Sequence, residues 1–145
     1  MKNAIQKSAC VMLFLLAVSI SANAQALLGP ESTSRILLSN LNTSISIPVT
    51  CQSQIVRQDF ENESIFSFKN EDNSPVFLFS INKVTGAQWM QLKDQVKDYT
   101  IIENKDEVIT FVLRTDVTKI KGSTNDQYQS MMAQVDGMIA SLSRN

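Results

Sequence analysis

The clearest pattern of apolar and polar positions lies near the C-terminal end of the chain. Between residues 124 and 143, apolar side chains recur at spacings of three and four, the period of an amphipathic helix. This stripe contains Tyr128, Met131, Met132, Val135, Met138, Ile139 and Leu142. Thr124 and Gln127 have the spacing of a capping box, and Gly137 inside the helix would allow another backbone to approach closely. The pattern predicts a long C-terminal helix whose methionines fill the core.

A second helical pattern covers residues 86–98. It follows Thr85, which together with Gln88 has the spacing of another capping box. The apolar side of this helix contains Trp89, Leu92, Val96 and Tyr99. We interpret this side as packing against a sheet rather than lining a ligand pocket.

Period-two alternation predicts a strand over residues 43–53. In this strand Cys51 continues the apolar positions of Ile45, Ile47 and Val49. Pro48 has no N–H group to donate, so it indicates an edge strand or a bulge. Before this strand, residues 32–42 allow either a short helix or an irregular segment.

Two β-hairpins are predicted where short apolar runs are separated by turn-forming residues. They join residues 65–69 to 76–81 and residues 100–103 to 108–120. Residues 76–79 are apolar at every position, which is typical of a central strand covered on both faces. Residues 58–64 are polar and acidic and predict a loop. Together the elements predict an α+β fold, with an antiparallel sheet of about five strands, two main helices packed on one face and a long C-terminal helix.

The first 24 residues have the pattern of a secretory signal peptide. Two lysines precede an apolar run over residues 9–20, which is shorter than the roughly 20 residues that a membrane-spanning helix needs. Ala22 and Ala24 give the small-x-small pattern of a cleavage site, with cleavage between Ala24 and Gln25. We therefore expect export, to the periplasm or the extracellular space if the source is bacterial, with no stable membrane anchor after cleavage. An uncleaved anchor is the alternative.

Removal of the signal leaves enough chain for one domain. Residues 25–43 are then an N-terminal tail that includes the short-helix alternative, and residues 44–145 form a single α+β domain. The thirteen basic residues become eleven against fourteen acidic ones, so the formal net charge changes from −1 to −3. The remaining basic residues are dispersed, which argues against nucleic acid as a partner.

The chain has no histidine, and one of its two cysteines is removed with the signal. Cys51 is therefore predicted to be a buried thiol, with pairing between chains and a nucleophilic role as alternatives. Without histidine, a cysteine nucleophile and the usual zinc, copper and haem sites are disfavoured. We expect no cofactor and no metal, although the acidic segments at residues 59–63 and 71–73 leave calcium open.

No motif in the mature chain carries recognisable catalytic chemistry, so the favoured function is an exported non-enzymatic accessory or binding protein. Its ligand would be a protein partner or a small molecule bound at the sheet or its open edge, with the strand of Pro48 as the candidate edge. The alternative is a hydrolase that uses carboxylates alone, without histidine or metal. At least two of six acids would then meet in a cleft: Asp59, Glu61, Glu63, Glu103, Asp116 and Asp136.

Three runs carry a resemblance to a known family. They are Ile45-Ser46-Ile47-Pro48, the strand Phe77-Leu78-Phe79-Ser80-Ile81 before the Trp89 helix, and Met138-Ile139-Ala140-Ser141-Leu142. Residues 44–142 resemble, through these three runs, the PsbP-like group of small secreted or lumenal α+β domains. This group includes bacterial DcrB-type periplasmic proteins. The resemblance implies that the last helix packs on the sheet. It also implies a non-catalytic accessory or binding role, without active-site residues to transfer.

Overall fold

Residues 32–144 are described by the structure, a computed structural model, and lie in one compact unit. The strands are β1 (Thr33–Leu38), β2 (Thr43–Pro48), β3 (Ile55–Asp59), β4 (Glu63–Lys69), β5 (Pro75–Thr85), β6 (Tyr99–Lys105), β7 (Val108–Arg114) and β8 (Ser143–Arg144). The helices are a 3-10 helix (Val49–Gln54), α1 (Gly86–Leu92) and α2 (Asn125–Ala140). None of the helices in this range is long and apolar enough to cross a membrane. The predicted signal peptide and its cleavage site at Ala22, Ala24 and Gln25 lie outside these residues.

The larger sheet has five antiparallel strands in the order β3-β4-β5-β7-β6. The predicted α+β class, the sheet of five strands and the long C-terminal helix are confirmed. Strand β5 is central, as the apolar run over residues 76–79 predicts, but the run is not covered on both faces, since Phe77 is 37% exposed. The acidic segment predicted as a loop is one only at residues 60–62, because residues 58–59 end β3 and residues 63–64 begin β4. Strand β7 ends at Arg114 rather than near residue 120.

The smaller sheet has three antiparallel strands in the order β1-β2-β8. The helical alternative for residues 32–42 is wrong, because this segment forms β1 and a turn. Its burial alternates with period two: Leu38 is buried and Ile36 partly buried, whereas Arg35 and Leu37 are exposed. Asn42 closes the turn in the left-handed region, with φ 50°. Pairing with β2 thus determines that residues 33–38 form a strand.

Strand β2 ends at Pro48, and the 3-10 helix replaces the predicted strand over the next residues. Strand β2 is an edge strand at Pro48, as predicted, but not along its whole length, since β8 pairs with its other end. Proline is tolerated here because β8 reaches only the other end of β2, where Thr43 and Ser44 pair with it. Further along, the Ser46 N–H donates to Ser141 Oγ at 2.8 Å.

The two helices lie on opposite faces of the larger sheet, not on one face as predicted. In β7, Phe111 and Val112 are successive residues, so their side chains point to opposite faces. Phe111 packs with Trp89 of α1 and with Ile109; we call these three residues the outer cluster. Val112 belongs to the main core, together with buried residues of α2 and the smaller sheet. We use main core for that larger set, which includes Ile45, Phe66, Phe79, Ile81, Tyr128, Met131 and Met138.

One of the two predicted capping boxes is present at the start of its helix. Thr85 and Gln88 form the predicted capping box of α1. The second predicted box is wrong, because Thr124 makes no side-chain cap and donates its hydroxyl to Asn70 Oδ1 at 2.6 Å. Helix α1 ends at Leu92, since the following residues turn and Asp98 takes a φ of 53° before β6.

Gly137 does not mark a close approach of two backbones. A Cβ atom built at this position would meet no atom within 4 Å, and the residue lies on the exposed side of α2. The predicted helix is therefore confirmed, whereas the predicted close approach at Gly137 is wrong.

Candidate functional site

A cleft of about 440 Å³ lies between the two sheets. Its floor consists of residues from β5, β7 and β6, and its wall consists of the β1–β2 turn and the residues that follow α2. The lining residues are Leu41, Asn42, Thr43, Ile81, Lys83, Ile102, Glu103, Thr110, Leu142 and Ser143. The volume falls in the range of small-molecule sites, and the lining combines aliphatic with polar and charged groups.

A row of three polar side chains crosses the floor of the cleft. Lys83 of β5 and Glu103 of β6 are both directly opposite Thr110 of β7 in the strand register. Opposite residues share a sheet face, so all three face the cleft, with the two charged residues about 10 Å apart at their Cα atoms. The row therefore carries a cationic group at one end, a hydroxyl in the middle and an anionic group at the other end.

The position of Glu103 depends on a bulge in β6. Ile101 lies opposite Phe111 on the outer face, and the register then shifts before Glu103 meets Thr110. In a regular strand Ile101 and Glu103 would share a face. The extra residue, Ile102, moves Glu103 onto the cleft side and itself lines the cleft.

The other end of the row is held by the cleft wall. Lys83 is partly buried, and its Nζ donates to the backbone carbonyl of Leu41 at 3.4 Å. Its backbone N–H donates to the Asn62 carbonyl at 2.9 Å. These contacts fix both the strand and the ammonium group beside the β1–β2 turn, so the charge is placed before any ligand arrives. Sequence reasoning missed Lys83 and Thr110. The sequence signal for Lys83 was its position two residues after Ile81 in a strand. That spacing places the charged side chain on the same, inward face as Ile81.

The structure does not bring the six acids named from the sequence together. Of these, Glu103 lines the cleft between the two sheets, and the other five are not among its lining residues. Asp59 accepts a hydrogen bond from Ser64 Oγ at 2.9 Å and pairs with Arg57 at 3.1 Å. Asp136 of α2 forms an ion pair with Arg114 of β7. The remaining three lie apart from the cleft lining: Glu61 and Asp116 are exposed and Glu63 is partly buried.

Cys51 lies in the 3-10 helix with 7% of its surface exposed and packs in the main core. It is a free thiol. A shallow groove passes beside it, between the 3-10 helix and the start of α2, lined also by Gln54, Asp126 and Gln127. The alternation used to place Cys51 fails two residues earlier, since Val49 is 50% exposed. The 3-10 helix, rather than a strand, turns the thiol inward.

The acidic turns do not gather into a metal site within residues 32–144, where no three His, Cys, Asp or Glu side chains converge. In the β4–β5 turn, Asp72 instead accepts hydrogen bonds from the Ser74 hydroxyl at 2.5 Å and the Ser74 N–H at 2.9 Å. These bonds, the hydroxyl first, lower the pKa of the Asp72 carboxyl. Its charge thus stabilises the turn locally.

The chain matches no protein-family model, no curated protein and no solved structure. The resemblance to the PsbP-like group therefore stays a prediction, and the geometry of the cleft is what bears on function.

Proposed function

We propose that this protein is an exported, non-enzymatic binding protein whose ligand occupies the cleft between the two sheets. The observation that carries the proposal is the row of Lys83, Thr110 and Glu103 across the cleft floor. Charged side chains of opposite sign, held apart in one partly enclosed cleft, are suited to a ligand that carries both charges. The predicted signal peptide supports export, and the resemblance to the PsbP-like group supports an accessory or binding role.

The ligand that fits this row is a small zwitterion, such as a free amino acid or a short peptide. Its carboxylate would lie at Lys83 and its ammonium group at Glu103, with a hydrogen bond to Thr110. Its apolar part would contact the aliphatic lining of Leu41, Ile81, Ile102 and Leu142. Interactions between charges are stronger in a partly enclosed site than on an open surface, because less water screens them.

The carboxylate hydrolase is the weaker proposal on the same geometry. Glycoside hydrolysis by two acids needs carboxyl groups about 5 to 10 Å apart across one substrate bond. The cleft lining contains one acid, Glu103, and a lysine where the second acid would be needed. A site of this composition favours binding over that reaction.

Calorimetric titration of the purified protein with the common amino acids and a panel of dipeptides tests the proposal. We expect at least one of these probes to bind, and we expect its N-acetylated, C-amidated form to lose binding because both charges are gone. Lys83→Met and Glu103→Gln should each weaken binding about tenfold or more. The matched controls Lys69→Met and Glu61→Gln change exposed residues outside the cleft and should bind as the unchanged protein does.

Two results would contradict the proposal. One is a panel in which no zwitterion binds. The other is binding that persists in Lys83→Met and Glu103→Gln while the protein remains folded by circular dichroism.

A further inference from the structure

Strand β6 forms one edge of the larger sheet, and no other strand of residues 32–144 pairs with its outer side. Three of its apolar side chains are exposed: Tyr99 by 40%, Ile101 by 44% and Ile102 by 38%. An edge strand presents backbone N–H and C=O groups that another strand can pair with. This edge therefore has both the hydrogen-bonding groups and the apolar surface needed to accept a further strand.

The charges around β6 fit a second copy of the same chain. Lys97 and Asp98 precede the strand, Lys105 is its last residue and Asp106 follows it in the turn, and all four side chains are exposed. When two copies run antiparallel about a centre between positions 101 and 102, Lys97 faces Asp106 and Asp98 faces Lys105. A shift of one residue in either direction no longer pairs all four charges with the opposite sign. In one direction Asp98 faces Asp106 while Lys97 faces Glu107, and in the other Lys97 faces Lys105. Like charges would then meet, which is unfavourable.

The bulge makes this register compatible with the two faces of the sheet. Thr100 lies opposite Val112, and Glu103 lies opposite Thr110, with Ile102 as the extra residue between them. Thr100 and Glu103 are thus on the same face, although regular alternation places residues three apart on opposite faces. In the charge-matched register Thr100 of one copy lies opposite Glu103 of the other, so matching faces meet.

We propose that two copies of this chain form a symmetric dimer by antiparallel pairing of their β6 strands, with Thr100 opposite Glu103. An edge bulge usually discourages pairing. In this register the two bulges lie against each other, and each strand has the same two residues, Ile101 and Ile102, between the matched pairs. Exposed ion pairs contribute little free energy. The lysine–aspartate pairs therefore select the register, while backbone pairing and isoleucine burial hold the dimer together.

The dimer brings the two clefts to the shared edge. Glu103 lines the cleft of one copy, and Thr100 of the second copy lies directly opposite it in the paired strands. The second copy therefore supplies a hydroxyl next to the acidic end of the row. The dimer does not depend on a ligand, so its test is independent of the binding proposal.

A register-specific disulfide tests the pairing directly. Thr100→Cys and Glu103→Cys are made in separate chains, because directly opposite residues have Cβ atoms about 5 Å apart, close enough for a disulfide to form after small adjustments. We expect a disulfide-linked dimer when the two variants are mixed under mild oxidation, and none from either variant alone. Thr100→Cys mixed with Lys69→Cys, at an exposed site on β4, is the control. No link in the test mixture, or equal linking in the control, would overturn the register.

Sedimentation velocity on the full purified chain tests the dimer without added cysteines. We expect the unchanged protein to dimerise reversibly and Ile102→Lys to raise the dissociation constant about tenfold or more. Met90→Lys introduces the same charge at a side chain of α1 that is 63% exposed, and it should leave dimerisation unchanged. If Ile102→Lys fails to fold, Lys105→Glu tests the same edge, because it places an acid opposite Asp98. An unchanged protein that stays monomeric up to its solubility limit would refute the proposal.

Discussion

The side chain of Tyr128 is fully buried, and its hydroxyl donates to the Val117 carbonyl at 2.6 Å. The ring also packs edge-on against Phe68, with centroids 5.5 Å apart. Burial raises the pKa of the phenol above its ordinary value of 10.0, and the nearby charge of Asp116 adds to the increase. This tyrosine joins α2 to the segment after β7 and to β4, so its protonation state matters for the whole helix.

Stability should therefore fall at alkaline pH through Tyr128. Below about pH 10 the phenol is neutral in both the folded and unfolded states, and its contribution is fully present. Above that pH the unfolded state releases the proton first, so the free energy of unfolding decreases until the folded pKa is passed. Denaturation by urea at a series of pH values measures this loss. Tyr128→Phe should be less stable near neutral pH, and its free energy of unfolding should fall less between about pH 9 and 11 than that of the unchanged protein. An equal fall in both proteins would contradict a role for Tyr128 in the pH dependence.

Gly137 is a second position where one residue decides a measurable effect. It lies in the last turn of α2 on the exposed side, with open space around the position of a Cβ atom. Gly137→Ala should raise the free energy of unfolding by about 0.5–1 kcal/mol, because alanine restricts the unfolded chain and favours the helix. Gly122→Ala is the control with the opposite sign, since Gly122 has a φ of 111° that alanine rarely adopts. A loss of stability in Gly137→Ala, measured by urea denaturation, would mean that α2 has a neighbour at this point.

At the scale of elements, the start of α2 depends on a contact with a distant turn. Thr124 donates to Asn70 of the β4–β5 turn instead of capping its own helix. Thr124→Ala and Asn70→Ala should each destabilise the protein by about 1 kcal/mol, and the double variant should lose less than the sum. Thr85→Ala combined with Asn70→Ala is the control pair, and these losses should add. Urea denaturation of the unchanged protein, the two single variants and the double variant measures these losses. Additive losses for Thr124 and Asn70 would show that their hydrogen bond contributes nothing to stability.

The elements that could be predicted are those whose signal is local. The capping box at Thr85, the two hairpins and the stripe of α2 all depend on residues within a few positions of one another. Strands β1 and β3 were missed because their sequences, TSRILL and IVRQD, alternate weakly and become strands only by pairing with β2 and β4. Thr124 was misjudged for the same reason, since its preferred partner lies 54 residues away.

At the scale of the molecule, the candidate site could not be predicted because the register of paired strands brings its residues together. Lys83, Thr110 and Glu103 come from three strands, and the bulge at Ile102 decides which face Glu103 takes. The pattern of apolar and polar positions did correctly predict the α+β class. The placement of α1 and α2 on opposite faces follows from β7, where Ile109 and Phe111 alternate with Val112, a pattern readable only once the strand's neighbours are known.

These two faces should behave as separate units of stability. Phe66 and Phe79 stack in the main core with ring centroids 4.7 Å apart, so Phe66→Leu and Phe79→Leu should couple by about 0.5–1.5 kcal/mol in a double-mutant cycle. Ile81 lies in the main core and Ile109 in the outer cluster, three positions apart along their paired strands and on opposite faces. Ile81→Val and Ile109→Val should each lower the free energy of unfolding by about 0.5–1.5 kcal/mol and add within about 0.5 kcal/mol.

Urea denaturation of both cycles at one pH provides the comparison, with the stacked phenylalanines as the positive control for coupling. Coupling between Ile81 and Ile109 as large as that of the phenylalanines would mean that the sheet transmits packing changes from one face to the other. Additivity would mean that α1 can be altered without disturbing the cleft on the opposite face. The cleft is formed by β5, β7 and β6 together with the small sheet, and α1 contributes none of its lining residues. Variants of the outer cluster should therefore lower stability while leaving the affinity for a zwitterionic ligand unchanged.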